Sequence, residues 1–312
     1  MSTVRIGGQA VMEGVMMKNM NRYAVSVRKP NGEIETKVEN CVSFSEKYPV
    51  FKLPILRGMV NFVESMVIGM KTLNYSAAFF EEDEEEESGK LDQIVENLFS
   101  GKGEKIMMGI VMIISFIISI GLFMILPYLA SEVLRNWINN QYVILLVEGL
   151  IRVGIFLGYI VLISKMEDIK RVFMYHGAEH KTINCLEAGE DLTPQNVMKY
   201  TRLHKRCGTS FLFIVMIISM VFFFFIRVDT IWLRIVSRLL LLPIVAGVSY
   251  EFIRWAGNSD NKMIGLLSKP GLCLQKLTTK EPDESMIEVA ITSVEGVFDW
   301  REYLEKERQN HE

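Results

Sequence analysis

The chain has 312 residues, half of them hydrophobic and 23% charged, with a formal net charge of −3. A soluble chain of that length would form about two domains, but residues 106–131 and 207–226 contain no Asp, Glu, Lys or Arg. Uncharged apolar stretches of about 20 residues cross a bilayer as helices, which excludes an ordinary soluble enzyme. Residues 81–87 (EEDEEEE) are all acidic, and without those seven the remainder carries +4. So mild a basic balance also excludes a nucleic-acid binder recruited by bulk charge.

In chain order, residues 1–53 read as a cytosolic N-terminal region. No cleavable signal peptide is expected, because residues 1–20 contain Gly7, Gly8 and Glu13 rather than a continuous apolar run. Residues 23–28 and 33–39 alternate apolar and polar side chains as half-buried strands do. Pro30, Asn31 and Gly32 between them supply turn chemistry, predicting a β-hairpin. The glycine-rich residues 7–17 are expected to form a turn before that hairpin; the alternative is a wall of a cytosolic site, with Glu13 pointing into it.

Residues 54–80 predict an amphipathic helix with a polar stripe of Arg57, Asn61, Glu64, Lys71 and Tyr75, lying at the membrane interface or packed on the bundle. Residues 81–105 read as an acidic linker and lead-in. Residues 106–257 form the transmembrane domain, with spans near 106–129, 142–164, 208–226 and 237–256. Its loop 165–207 and the tail 258–312 are assigned to the cytosol. In the tail, Asp283 and Glu284 open a helix expected to run to about Lys306, with an apolar stripe of Met286, Val289, Ala290, Val294, Val297 and Leu304.

Orientation follows from Lys and Arg. Residues 1–105 hold 13, the 165–207 loop 8 and residues 254–312 another 8, whereas 131–141 and 227–238 hold 1 and 3. Both termini are therefore expected in the cytoplasm of a mainly α, polytopic protein of the cell membrane. The cysteines Cys41, Cys185, Cys207 and Cys273 fit no disulfide framework. On that side of the membrane they are reduced thiols or metal ligands.

The central loop carries His176-Gly-Ala-Glu179-His180, of the form H-x-x-E-H. On a helix, the two imidazoles stand one turn apart and reach one cation, while Glu179 is placed to accept a proton from an attacking water. His204 is the favoured third ligand; Cys207, Glu251 and Glu187 are further candidates. Two other readings stay open: an incidental spacing, and a closed structural site of His176, His180, His204 and Cys207. Glu148 and Arg152, four residues apart in the second span, form either an internal ion pair or part of a polar path.

Four segments together resemble the YqhQ-like family of bacterial membrane proteins: residues 8–17 (GQAVMEGVMM), 176–181 (HGAEHK), 206–210 (RCGTS) and 270–279 (PGLCLQKLTT). That family is largely uncharacterised and is described as predicted metal-dependent enzymes. The resemblance therefore implies a divalent metal, for which Zn2+ suits the donors, and the expected activity is hydrolysis at the membrane surface, of peptide bonds in the sharpest version. A membrane scaffold or assembly factor with a structural metal is the alternative, and a small transporter is a third. The expected partners are the lipid bilayer and, for a scaffold, other membrane proteins; a homo-oligomer stays open and no nucleic acid is expected.

Overall fold

The computed structural model describes residues 6–80, 103–204, 207–225, 230–257 and 262–311. The acidic run 81–87, most of the expected linker, and Arg206 lie outside the described residues. The chain divides into two compact units. One comprises residues up to Phe79, Val161–Ile218 and Leu240–Glu312; the other comprises Phe80–Ile160 and Ser219–Leu239.

The first unit opens with four strands, β1 (Ile6–Val11), β2 (Gly14–Asn19), β3 (Arg22–Arg28) and β4 (Ile34–Asn40), joined in sequence as an antiparallel meander. β3 and β4 are the hairpin expected from alternation, and Gly32 takes a positive φ of 86° in its turn. The glycine-rich segment is not a lead-in turn but a second hairpin, β1–β2, with Glu13 in its turn at φ 48°. Glycines hid its strand pattern, and two of them, Gly8 and Gly14, stand where side chains do not fit. A Cβ at Gly14 would lie 2.3 Å from the Ser26 carbonyl oxygen.

The period of two sorts these strands onto two faces. Ile6, Val15, Met17 and Ala24 join one core with α6 (Glu167–Glu187) and α11 (Glu284–Glu295). On that face, Ser293 Oγ donates to the Ala24 carbonyl (3.0 Å) and Arg28 pairs with Glu288 (2.9 Å). The opposite face meets α2 (Leu56–Ala77): Gln9 packs on Gly69, and Tyr75 bonds Glu35 at 3.2 Å.

The polar stripe of α2 is turned toward protein. Arg57 pairs with Glu251, Asn61 Nδ2 donates to the Tyr250 hydroxyl (2.9 Å), and Glu64 accepts from Ser43 Oγ (2.9 Å) just before the short α1 (Phe44–Lys47). The exposed residues of α2 include a run of apolar ones, Val63, Met66, Val67, Met70 and Leu73, beside Ser65, Lys71 and Asn74.

The C-terminal stripe is buried as expected, but on two helices rather than one. α11 ends at Gly296, and α12 (Trp300–His311) starts beyond Asp299, whose carboxylate accepts from the Glu302 N–H (3.1 Å). The break is local: an Asx cap satisfies a new helix start that the apolar period does not reveal. Asp283 caps α11 as expected, accepting from the Met286 N–H at 2.9 Å. The tail residues before it form a further helix, α10 (Lys262–Thr278).

Four helices are long and apolar enough to cross a membrane: Gly109–Asn136, Gln141–Ile163, Gly208–Phe225 and Ile235–Ala256. The first comprises α3 (Gly103–Ile120), a π-helical turn at Gly121–Ile125 and α4 (Leu126–Val133). That wide turn precedes Pro127, which has no N–H to give the helix, and the helix resumes after it beyond the expected limit of 129. The others are α5 (Gln141–Ile163), α8 (Gly208–Phe225) and the C-terminal part of α9 (Ile231–Gly257).

Within the second unit, Glu148 and Arg152 pair at 2.7 Å, and Arg238 reaches the same Glu148 oxygen at 2.6 Å. All three are buried, Arg152 Nε also donates to the Phe123 carbonyl (3.0 Å), and both guanidiniums stack over Phe223. Arg238, counted with an outer connection on charge alone, belongs to this buried cluster.

Candidate metal centre

α6 begins with Glu167 and Asp168, whose charges suit a helix N-terminus. One turn separates His176 from His180, and their ring centroids lie 4.4 Å apart. The third member arrives from outside the helix. Cys207, immediately before α8, puts Sγ 3.3 Å from His176 Nε2. Ligand atoms of His176, His180 and Cys207 all lie within 4.8 Å of one another. Tetrahedral zinc with bonds of about 2.0–2.3 Å holds its ligand atoms roughly 3.3–3.7 Å apart, which the 3.3 Å between Cys207 Sγ and His176 Nε2 matches.

Each imidazole is tethered from behind. His176 Nδ1 lies 2.9 Å from the Thr278 carbonyl and His180 Nδ1 2.6 Å from the Arg202 carbonyl. A carbonyl only accepts, so both Nδ1 atoms carry the proton and both Nε2 atoms present a lone pair, the arrangement metal-binding histidines use. Burial lowers the His180 pKa and so favours the neutral form that ligates. The Cys207 sulfur accepts from the Thr209 N–H (3.3 Å) in the first turn of α8.

Glu179 is buried beside this cluster. Burial pushes its carboxyl pKa up, opposed by the nearby His176 and His204 and by the Gly8 backbone N–H. Its Oε2 is buried and has no hydrogen-bond partner among the described residues. Gly8 is glycine for a steric reason: a Cβ there would stand 2.9 Å from the Glu179 side chain and 2.7 Å from the Met16 carbonyl oxygen.

The other residues singled out in the sequence lie around this cluster or away from it. His204 stands outside the triplet, 5.8 Å from His180 between ring centroids, with Nε2 3.2 Å from Glu187. Glu251 is engaged by Arg57. Glu13 pairs with Arg171 and accepts from the Tyr175 hydroxyl (3.2 Å), which ties the β1–β2 turn to the helix carrying the histidines.

Sequence reasoning missed the brace. Gln275 on α10 bonds both backbone groups of His204, accepting its N–H (2.9 Å) and donating to its carbonyl (2.8 Å), and it also donates to Ser210 Oγ (2.8 Å). Thr278, one turn further on, supplies the carbonyl for His176. Lys181 donates to the Met198 carbonyl (3.0 Å) and pairs with Glu281 (2.9 Å), holding the 188–204 segment with its short α7 (Pro194–Met198). Polar Gln275 and Thr278, three residues apart in the 270–279 segment, were the available signal. Gly177 marks the closest approach: a Cβ there would lie 2.0 Å from the Lys280 carbonyl oxygen. Gly177→Ala should therefore cost about 1–3 kcal/mol of stability, read as a lower unfolding midpoint in detergent; an unchanged midpoint would refute this packing.

The described residues thus combine four helices long and apolar enough to cross a membrane with a His/His/Cys cluster that is a candidate metal centre. The family described as "Protein of unknown function (DUF1385)" matches residues 53–300, and the chain belongs to that family. It is 36% identical over 288 residues to the "Uncharacterized protein YqhQ" of Bacillus subtilis (strain 168), covering 92% of this chain and 90% of that relative. No solved structure matches.

Proposed function

We propose that this protein is a metal-dependent hydrolase working at the cytoplasmic face of the membrane, with peptide bonds its favoured substrate. The observation that carries the reading is the pair of Nδ1 tethers, which turn both Nε2 atoms toward the Cys207 sulfur beside a buried carboxylate. His176, His180 and Cys207 are the ligands, and a His2Cys set suits Zn2+. A divalent ion held there supplies Lewis-acid polarisation and lowers the pKa of water. Three protein ligands leave room for a substrate, as catalytic sites require.

Glu179 acts as general base and then general acid, taking the proton from the attacking water and returning it to the leaving group. A raised pKa suits that exchange. His204 and Glu187 hold the wall of the site through their mutual contact. The cytoplasmic placement rests on the Lys and Arg partition.

Burial of His180 (1% exposed) and Cys207 (6%) favours one competitor, a structural metal in a membrane scaffold. Two measurements separate them. Detergent-purified protein prepared without chelators should hold one equivalent of metal; none would sink both readings. Glu179→Gln should keep that metal, while cells carrying it accumulate the same uncleaved membrane species as cells lacking the protein. If the metal-loaded variant matches wild type instead, the carboxylate is not catalytic and the scaffold stands.

A further inference from the structure

A second site lies on the other side of the sheet from the histidines. A cavity of about 680 Å³ runs between α2 and the region of β4 and α1, with Leu242 and Pro243 of α9 closing one part. That volume is in the range of ligand pockets, about 300–1,000 Å³. Its lining changes character along its length. Met59, Phe62 and Val63 at the start of α2, with Phe44 and Phe51, make an apolar stretch; Lys71, at the far end on α2, shares the lining with Lys18.

We propose that this groove binds one phospholipid of the surrounding bilayer, an acyl chain lying along the apolar stretch and the phosphate between Lys18 and Lys71. Three observations fit this occupant. First, the groove is continuous with exposed apolar surface on a candidate membrane span. Leu242 lies in a candidate membrane span and is 47% exposed, and Val63 on the neighbouring helix is 58% exposed. Second, the length matches. From Met59 to Lys71 a helix rises about 18 Å, close to the roughly 15 Å depth of one hydrocarbon leaflet.

Third, the charges at the polar end are complementary to a phosphate. The acids that share the lining are already engaged: Glu39 by Lys37 (2.7 Å) and Tyr23, and Glu64 by Ser43 Oγ (2.9 Å) and the Phe44 N–H (2.6 Å). Among the described residues, neither Lys18 nor Lys71 forms an ion pair within 4 Å, and Lys71 acts on Glu39 only as a more distant charge. Two such ammonium groups beside an apolar channel match the two halves of an anionic amphiphile. The exposed apolar residues of α2, Val63, Met66, Val67, Met70 and Leu73, fit the same arrangement.

The test uses the full chain in detergent, delipidated and titrated with phosphatidylglycerol or phosphatidylcholine, and read by native mass spectrometry. Wild type should retain one phosphatidylglycerol per chain. Lys18→Ala with Lys71→Ala should weaken it about thirty-fold, taking each cation near a lipid phosphate at its usual worth, while Lys→Arg at both positions restores binding. Val67→Trp, at an exposed lining position where folding is not at risk, should abolish stoichiometric binding of both lipids. Equal adducts in all variants would mean unspecific annular lipid and overturn the proposal. A bound peptide or a second copy of the chain in place of lipid would overturn it as well.

Discussion

Replacing Cys207 by serine should weaken metal binding about a thousand-fold, whereas His204→Ala should change it less than tenfold. A structural zinc site in a peptide is worth about 12 kcal/mol, so one of three ligands carries roughly 4 kcal/mol. His204, facing Glu187 across 3.2 Å, acts only through its neighbours. Competition with a chromophoric chelator on the detergent-purified protein measures both variants. Cobalt substitution adds an independent reading, since the sulfur-to-cobalt absorption band should vanish in Cys207→Ser and persist in His204→Ala. The opposite order of affinities would restore His204 as the third ligand and remove Cys207.

Glu148→Ala should be the most destabilising single change in the second unit. It leaves the buried guanidiniums of Arg152 and Arg238 without the carboxylate oxygen they share at 2.7 and 2.6 Å. Removing one partner of a buried ion network costs about 3–5 kcal/mol, and within a membrane span little else solvates the charge. Thermal unfolding of the full chain in detergent should show the drop. Replacing all three residues together, Glu148→Leu with Arg152→Met and Arg238→Met, should recover most of it, because no ion is then left behind. If Glu148→Ala melts with wild type, the cluster is not holding these helices together; if the triple variant melts as low as the single one, lost packing rather than stranded charge is the cause.

The candidate site was legible where its chemistry is local. His176, Glu179 and His180 stand on one helix, so their relation is a matter of period alone. Cys207, 31 residues from His176, was visible as one candidate among several, and nothing in spacing ranks it above His204. The Thr278 and Arg202 carbonyls could not have been found at all: a backbone oxygen carries no mark of identity, and which one meets an imidazole depends on how α6 and α10 pack. The glycine-rich β1 was misjudged for a related reason. The feature that makes Gly8 necessary is the Glu179 side chain 171 residues away.

By itself the sequence determined the properties that add up along the chain. Apolar length marked four helices able to cross a membrane, alternation marked the β3–β4 hairpin, and a one-turn spacing placed two imidazoles together. Each is decided by residues within a few turns of one another, against water or lipid as a uniform surrounding. Tertiary structure decided what depends on a specific neighbour: Cys207 rather than His204 beside the two histidines, Arg238 on Glu148, and the polar face of α2 turned inward. In those cases several partners of equal chemistry compete, and only the packing of distant segments selects one.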